Sequence, residues 1–490
     1  MEDEVLNLNL SNVDKHILYN APERILQIGD GNFIRGFVDW MIEELNLKTD
    51  FNGKIVSVQA TPRGNRVPVL NEQEGLYTLL SRGIDEGERV EKVQLIQSIK
   101  RAINPYSDWK EVLKTAENPK MEFLFSNTTE SGLAYEKEVY SYEQSPMSFP
   151  GKVVALLYHR YLHFKGDKEK GWILIPCELI ECNGDKLKEI CLKVSKDWHL
   201  PNEFNKWLLT ACTFCNTLVD RIVPGYPVGE EDRLFNRLGY SDRLMTVAEP
   251  YHLFVIESEN TSIEKKLPFK EAGLNVQFNE IAPFRQKKVK LLNAPHTIMA
   301  TIGVIENIES VREVMETETL YSYIKNTLVE EICATLPQAE KKSAHLYIDN
   351  VFDRFRNPYL HHRLADISLN SFSKFSTRVW PILETYRKKT GQNPRRLVFS
   401  FATLLMYFEG VVKEKGYLVK DDPDIIKKFQ DFYRNFDGTK EVLTKFIKEL
   451  IREEFNSELE GLENLSEEIA IDYIEIQKIG IGLAMLRIES

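Results

Sequence analysis

The stretch that most restricts how this chain can fold is its opening strand, glycine turn and helix. Arg24–Ile28 is a short apolar run, and Gly29-Asp30-Gly31 follows as a turn. Ile34, Phe37, Val38, Met41, Ile42 and Leu45 then fall at the spacing of one helix face, and Lys54–Val58 returns as a second strand. Strand, helix and strand in so short a span make a βαβ unit, whose two strands must lie parallel in a sheet covered by helices. Further strand-like runs at 121–126 and 172–176 alternate with helical patterns near 108–116, 151–164 and 185–198, which extends the parallel sheet and puts helices on both faces. Segments 77–81 and 88–97 read as edge strands or a hairpin inserted in that sheet, and the apolar runs 217–223 and 251–256 carry the strand-rich half to about residue 280.

After Pro283 the pattern changes. Segments 309–336, 340–353, 396–415, 440–455 and 466–487 all carry helical spacing with few β-branched runs. The expected fold class is therefore an α/β Rossmann-type N-terminal domain with a mostly parallel sheet, followed by an all-α C-terminal domain. The domains are expected at 23–280 and 281–490 after a polar lead-in arm over 1–22, because 490 residues exceed one comfortable core.

Charge limits the partners. Sixty-three Lys and Arg against 74 Asp and Glu leave a net charge of −11, which repels polyanions and argues against nucleic acid or an anionic membrane as the main partner. The N-terminus lacks the basic start and apolar run of a signal peptide, and no apolar run approaches the roughly 18 residues of a membrane span, so a cytoplasmic location is expected. The six cysteines are irregularly spaced and form no secreted disulfide framework. Cys212 and Cys215 have metal or redox spacing but apolar neighbours and no second pair, so no metal site is expected. The composition leaves a homo-oligomer open.

Two stretches carry chemistry. Gly29-x-Gly31 ahead of a helix offers a tight turn and unpaired N–H groups to a pyrophosphate. The third glycine of the usual fingerprint is displaced: that position holds Ile34, and Gly36 follows two residues later. The second strand ends in Gln59 rather than an acid, with Arg63 beyond, so ribose binding by Gln59 and 2′-phosphate binding by Arg63 are both open and NAD is not separated from NADP. In the second stretch, Arg285–Ala300, an α-helical reading places Lys288, Asn293 and His296 within an arc of roughly 140°. An amine, an amide and an imidazole on one face suit proton transfer to or from an oxygen, although a solvated face and a core histidine would look alike.

These motifs, with Thr129-Glu130-x-Gly132, Val219-Asp220-Arg221-Ile222 and above all Lys288-x4-Asn293-x2-His296, resemble those of the mannitol dehydrogenase family of polyol-specific long-chain dehydrogenases. The resemblance runs in order along almost the whole chain. It implies a zinc-independent, NAD-dependent enzyme with its site between a Rossmann-type and a helical domain. Lys288 would be the general acid and base, with Asn293 and His296 holding the reacting oxygen. Ile28, Gly29, Asp30, Gly31, Asn32, Phe33, Ile34, Arg35, Gly36, Thr129 and Glu130 would bind the cofactor. A lysine base also requires a lowered pKa, which burial beside Lys287 or Lys290 would provide.

Gly75–Thr78, Ser126–Gly132, Pro176–Gly184, Arg354–Pro358 and Ser368–Phe375 most resemble the branch of the family that reduces the sugar acid D-tagaturonate to D-altronate. Fructuronate or a hexitol as substrate, and an inactive dinucleotide-binding regulator, stay open. Two departures bear on the site. Leu179 stands where mannitol-oxidising relatives carry an asparagine donor, and Arg363 and Lys374 are eleven residues apart rather than eight. From Arg354 to Arg378 the chain carries Arg354, Arg356, His361, His362, Arg363, Lys374 and Arg378 against one acid, Asp366, a local reversal of the net charge. A substrate carboxylate would want such cations, and Arg363 and Lys374, then Arg378, are the candidates to bind it.

Overall fold

The computed structural model describes residues 6–8, 20–413, 415–455 and 461–489. The chain separates into two compact units, one of residues 1–82 and 89–284, the other of 83–88 and 285–490. Of the expected arm, Leu6–Asn7 pair in parallel with Tyr240–Ser241, so part of it is a strand; residues 1–5 and 9–19 lie outside the described residues.

The first unit is built on a six-stranded parallel sheet. Numbering only its strands, β1 is Glu23–Ile28, β2 Lys54–Val58, β3 Ile99–Ile103, β4 Phe123–Ser126, β5 Ile173–Pro176 and β6 Thr213–Phe214. Their order is β3-β2-β1-β4-β5-β6, with every neighbouring pair parallel. This is the dinucleotide-binding order of a doubly wound sheet, in which the strand order reverses between β1 and β4. Alternate strand residues serve opposite faces. Ile25, Ile55, Phe123 and Phe125 pack with Phe37, Val38 and Met41 on one face. Leu26, Ile28, Val56, Val58 and Leu124 pack with Val112, Val153 and Leu187 on the other.

The segments expected to enter this sheet as edge strands or a hairpin do not do so. Tyr77–Asp85 and Glu88–Ile96 form a hairpin in a separate three-stranded sheet, with Thr246–Ala248 parallel to the first of them. The second hairpin strand is half exposed along most of its length, and such a strand cannot enter a sheet buried on both faces. Asn216–Asp220, Leu253–Glu257 and Val276–Phe278 make a third small sheet.

The second unit is helical. Its helix Arg395–Phe408 is buried on all sides from Leu397 onward and forms the centre of the packing. Two expected helices are broken. Segment 309–336 divides into Val311–Glu316 and Glu318–Asn326, followed by a wide turn at Thr327–Ile332. Segment 466–487 divides at Gly480, whose φ of +82° closes Leu462–Ile479 before Ile481–Glu489 begins. Among the described residues no helix is long and apolar enough to cross a membrane.

Candidate functional site

In the first unit the candidate residues gather at the C-terminal ends of β1 and β4, where open α/β sheets bind ligands. Gly29 has φ +123°, and a Cβ there would stand 2.7 Å from the carbonyl oxygen of Asn127, so only glycine lets the two loops approach this closely. Gly31 precedes the helix, and a Cβ placed on it would meet nothing within 4 Å. The helix N-terminus is therefore open to an incoming phosphate.

The displaced glycine has a structural explanation. Residues Arg35–Asp39 form a π-turn between Asn32–Ile34 and Trp40–Lys48, which corrects the expected uninterrupted α-helix. Within that turn a Cβ on Gly36 would lie 2.8 Å from Val223. Gly36 thus permits the close packing that the third fingerprint glycine normally provides, with the register shifted by the wide turn.

The remaining loop residues divide between solvent and interior. Ile28 and Ile34 are fully buried, and Phe33 stacks on Phe37 at 5.1 Å. Arg35 turns inward, donating to Asn32 Oδ1 at 2.7 Å and to the carbonyl of Leu244. Asp30 is buried with one carboxylate oxygen lacking a partner among the described residues; burial raises its pKa against the pull of Arg66 and Arg35. Gln59 is also buried, its amide N–H held by the carbonyl of Thr61 while its oxygen has no partner among the described residues. Arg63 is exposed. An open helix end beside two orphaned polar oxygens fits a ligand rich in hydroxyl donors and phosphate, as a dinucleotide is.

Thr129 and Glu130 are exposed on the loop after β4. Sequence reasoning missed the group that anchors this loop. The Glu178 carboxylate, 2% exposed, accepts from Ser126 Oγ at 3.0 Å, Thr128 N at 2.9 Å and Thr128 Oγ1 at 3.0 Å. Burial raises its pKa, and the three donors oppose the rise. Its sequence signals were an acid two residues past a buried strand and its place in the Pro176–Gly184 motif. Leu179 beside it is 67% exposed.

In the second unit, the segment expected to be one α-helix is again interrupted. Ala282–Lys288 is α-helical, Val289–Asn293 is a π-turn closed by Ala294 N–H on the carbonyl of Val289, and Ala294–Ile305 resumes the α-helix. Pro295 explains the interruption, since it cannot donate to the carbonyl four residues back and its ring crowds that oxygen. The consequence corrects the arc of roughly 140°. An i→i+5 turn winds less per residue than an α-turn, so the arc read on a regular α-helix does not carry across Val289–Asn293 and the angle between Lys288 and Asn293 is narrower. Both are half-buried. Lys287 donates to Ser343 Oγ at 3.0 Å, and burial with the nearby Lys389 lowers the pKa of Lys290.

His296 opens into a pocket of about 370 Å³ lined by His361, His362, Arg363, Asp366, Ile367, Lys374 and Arg378. Its size is that of a small-ligand site. The structure therefore brings His296 together with all three candidate carboxylate-binding residues. Their settings differ. Lys374 and Arg378, one helical turn apart on Ser371–Arg378, are half-buried and have no ion pair with a carboxylate among the described residues. Burial lowers the pKa of both, and the Arg378 charge lowers that of Lys374 further. Arg363 is exposed at the rim and lies 3.9 Å from Glu309, which also holds His361 at 3.1 Å.

A further connection was invisible in sequence. Arg378 reaches Thr297 Oγ1 at 3.5 Å, and Thr297 Oγ1 donates to the carbonyl of Asn293 at 2.9 Å, so the cation is tied to the helix that carries Asn293 and His296. The Cys212 and Cys215 thiols are buried, and burial raises each to about 12. Among the described residues no group of three or more His, Cys, Asp or Glu side chains is gathered as metal ligands would be.

The mannitol dehydrogenase Rossmann domain profile matches residues 23–268, and the mannitol dehydrogenase C-terminal domain profile matches 280–477. The chain belongs to the mannitol dehydrogenase family. Among curated members of that family, the altronate oxidoreductase of Halalkalibacterium halodurans is 43% identical over 92% of this chain and 90% of its own. The altronate oxidoreductase of Bacillus subtilis is 40% identical over 98% and 97%. Among solved structures, a substrate-free D-sorbitol dehydrogenase superposes with a TM-score of 0.78 at 21% identity, covering 96% of both chains. The Pseudomonas fluorescens mannitol 2-dehydrogenase, in ternary complex with NAD and D-mannitol, has a TM-score of 0.66 at 18% identity and covers 98% of this chain and 99% of that one. At these identities the two structures establish the fold of the family in this chain.

Proposed function

We propose that this family member is an NAD-dependent oxidoreductase that reduces D-tagaturonate to D-altronate and runs in reverse on the alcohol. The observation that carries the reading is the pocket in which His296 faces the half-buried cations Lys374 and Arg378. A neutral polyol offers those charges only hydroxyl oxygens, whereas a keto sugar acid brings a carboxylate to one end and a carbonyl to the other. The names of the curated relatives support the same substrate.

NADH supplies the hydride to the carbonyl carbon when bound. Its pyrophosphate would lie on the Gly29–Gly31 turn and its ribose near Gln59, with Thr129 and Glu130 on the loop that Glu178 pins. Lys288 would give a proton to the carbonyl oxygen in reduction and take it back in the reverse direction, while Asn293 and His296 would hold that oxygen. Lys374 and Arg378 seat the carboxylate, with Arg363 at the rim. The dinucleotide-binding domain is assigned to 23–280 and the catalytic helical domain to 281–490. The partner is a small sugar acid, with no role for nucleic acid or a membrane, and the location is cytoplasmic.

A panel following NADH oxidation with tagaturonate, fructuronate and fructose tests the reading. The highest kcat/KM is expected for tagaturonate. Fructose turned over as well as either acid would overturn the carboxylate assignment, and inactivity on all three would favour a regulator that has kept the fold.

A further inference from the structure

His362 lines the pocket but has no role in the scheme above. The chain around it is held like a short strand: Val311 N donates to the His362 carbonyl at 3.0 Å, Leu364 N to the Glu309 carbonyl at 2.9 Å, and Ser310 and Arg363 form an antiparallel bridge. In extended chain, side chains alternate between faces. His361 and Arg363 accordingly turn to Glu309 at the rim, and His362 turns the other way. Its ring stands edge-on to that of His296, with centroids 5.6 Å apart at 82°, while Phe355 covers His296 at 4.4 Å. Among the described residues the His362 ring makes no hydrogen bond, so its two nitrogens are available to a ligand in the pocket. Burial and the neighbouring Arg354 charge lower its pKa, which favours the neutral ring with one donor and one acceptor.

We propose that His362 is the residue that reads the configuration of a substrate hydroxyl. The proposal rests on the reading of the site as a keto-acid reductase. With the carbonyl oxygen at His296 and the carboxylate at Lys374 and Arg378, the carbinol carbons between them pass the His362 ring. Tagaturonate and fructuronate differ in configuration at one such carbon, and so do the neutral ketoses tagatose and fructose. A ring that can both donate and accept binds the correctly placed hydroxyl, and with the other epimer one of its polar atoms is left unpaired in a confined site.

The test uses His362→Phe, which keeps a ring against His296 and removes both nitrogens, and His362→Asn, which restores a donor and an acceptor. kcat/KM is measured for both epimeric pairs, with NADH affinity as a control. The expected result is that His362→Phe lowers the tagaturonate to fructuronate ratio by about tenfold or more. The loss should lie chiefly in KM, the neutral pair should shift in the same direction, and His362→Asn should recover part of the ratio. Equal losses on both members of each pair would reduce His362 to packing and overturn the proposal. A wild-type preference for fructuronate would overturn the substrate assignment alone, because the change in epimer ratio on substituting His362 would still be read from both pairs.

Discussion

Lys374 and Arg378 are two cations one helical turn apart, half-buried and with no carboxylate within salt-bridge distance among the described residues, in a chain of net charge −11; the Asp421 charge offsets the effect on Lys374 only in part. Like charges so placed repel each other, and an anion bound between them relieves that cost. Substituting either by Met should therefore raise KM for tagaturonate by about 10- to 100-fold, the usual worth of a hydrogen bond to a charged group. KM for fructose should barely move. Arg363→Ala, at the exposed rim, should change either KM by less than about threefold, as expected of a solvated charge. Steady-state kinetics on both substrates checks all three. Lys288→Ala should lower kcat by roughly 10²- to 10⁴-fold, the range of general acid–base catalysis, and a fluorescence titration should show NADH affinity nearly unchanged. The residue types at 288, 293, 296, 363, 374 and 378 could be read from the sequence. The different settings of Arg363 and Arg378 could not be read, because they depend on Glu309 at one residue and Thr297 at the other, neither of them a sequence neighbour.

At the level of elements, two π-turns distort the two helices that carry the expected chemistry. The turn at Arg35–Asp39 brings Gly36 against Val223, and the turn at Val289–Asn293 changes the pitch between Lys288 and Asn293. A periodicity reading assumes a constant angle per residue and cannot register a turn of different pitch; only Pro295 signalled one of them. The loops at the strand ends of the first unit are equally constrained. Gly29→Ala would force a side chain to φ +123° with its Cβ at 2.7 Å from a backbone oxygen. A loss of about 1–3 kcal/mol is expected from such strain, measured by chemical denaturation, together with weaker NADH binding. Glu178→Ala would leave the Thr128 N–H and two hydroxyls without their acceptor, at about 1–3 kcal/mol for such a loss. Glu178→Gln should retain more of that stability than Ala does. Equal stability for Ala and wild type would refute the anchoring role.

At the scale of the whole molecule, the buried ionisable groups of the first unit give stability a defined pH profile. Burial raises Asp39 to about 8 and Glu43 to about 7, against unfolded values near 4. Between those values the folded chain binds more protons than the unfolded one, so this contribution is full at low pH and is lost as pH rises to about 8. His252 has the opposite sign. Burial and the Arg221 charge lower it to about 4, so its contribution is full above the unfolded value near 6.5 and is lost as pH falls to about 4. Two raised acids outweigh one lowered histidine, so together these groups make stability fall as pH rises from about 4 to about 8. In thermal melts Asp39→Asn should lessen that fall, and His252→Gln should steepen its part below about pH 6.5. Composition and periodicity alone determined the division into a parallel α/β half and a helical half, because hydrophobic spacing is a local property. The same locality made the glycine turn legible, whereas Lys288, Asn293 and His296 were singled out chiefly by the resemblance to a family. Tertiary structure alone decided the β3-β2-β1-β4-β5-β6 order, the placing of the 77–96 hairpin outside that sheet, the anchoring of the β4 loop by Glu178 and the meeting of His296 with His362, Lys374 and Arg378 in one pocket. Each of these joins segments distant in sequence, and what brings them together is the burial of shared apolar faces, which no single segment encodes.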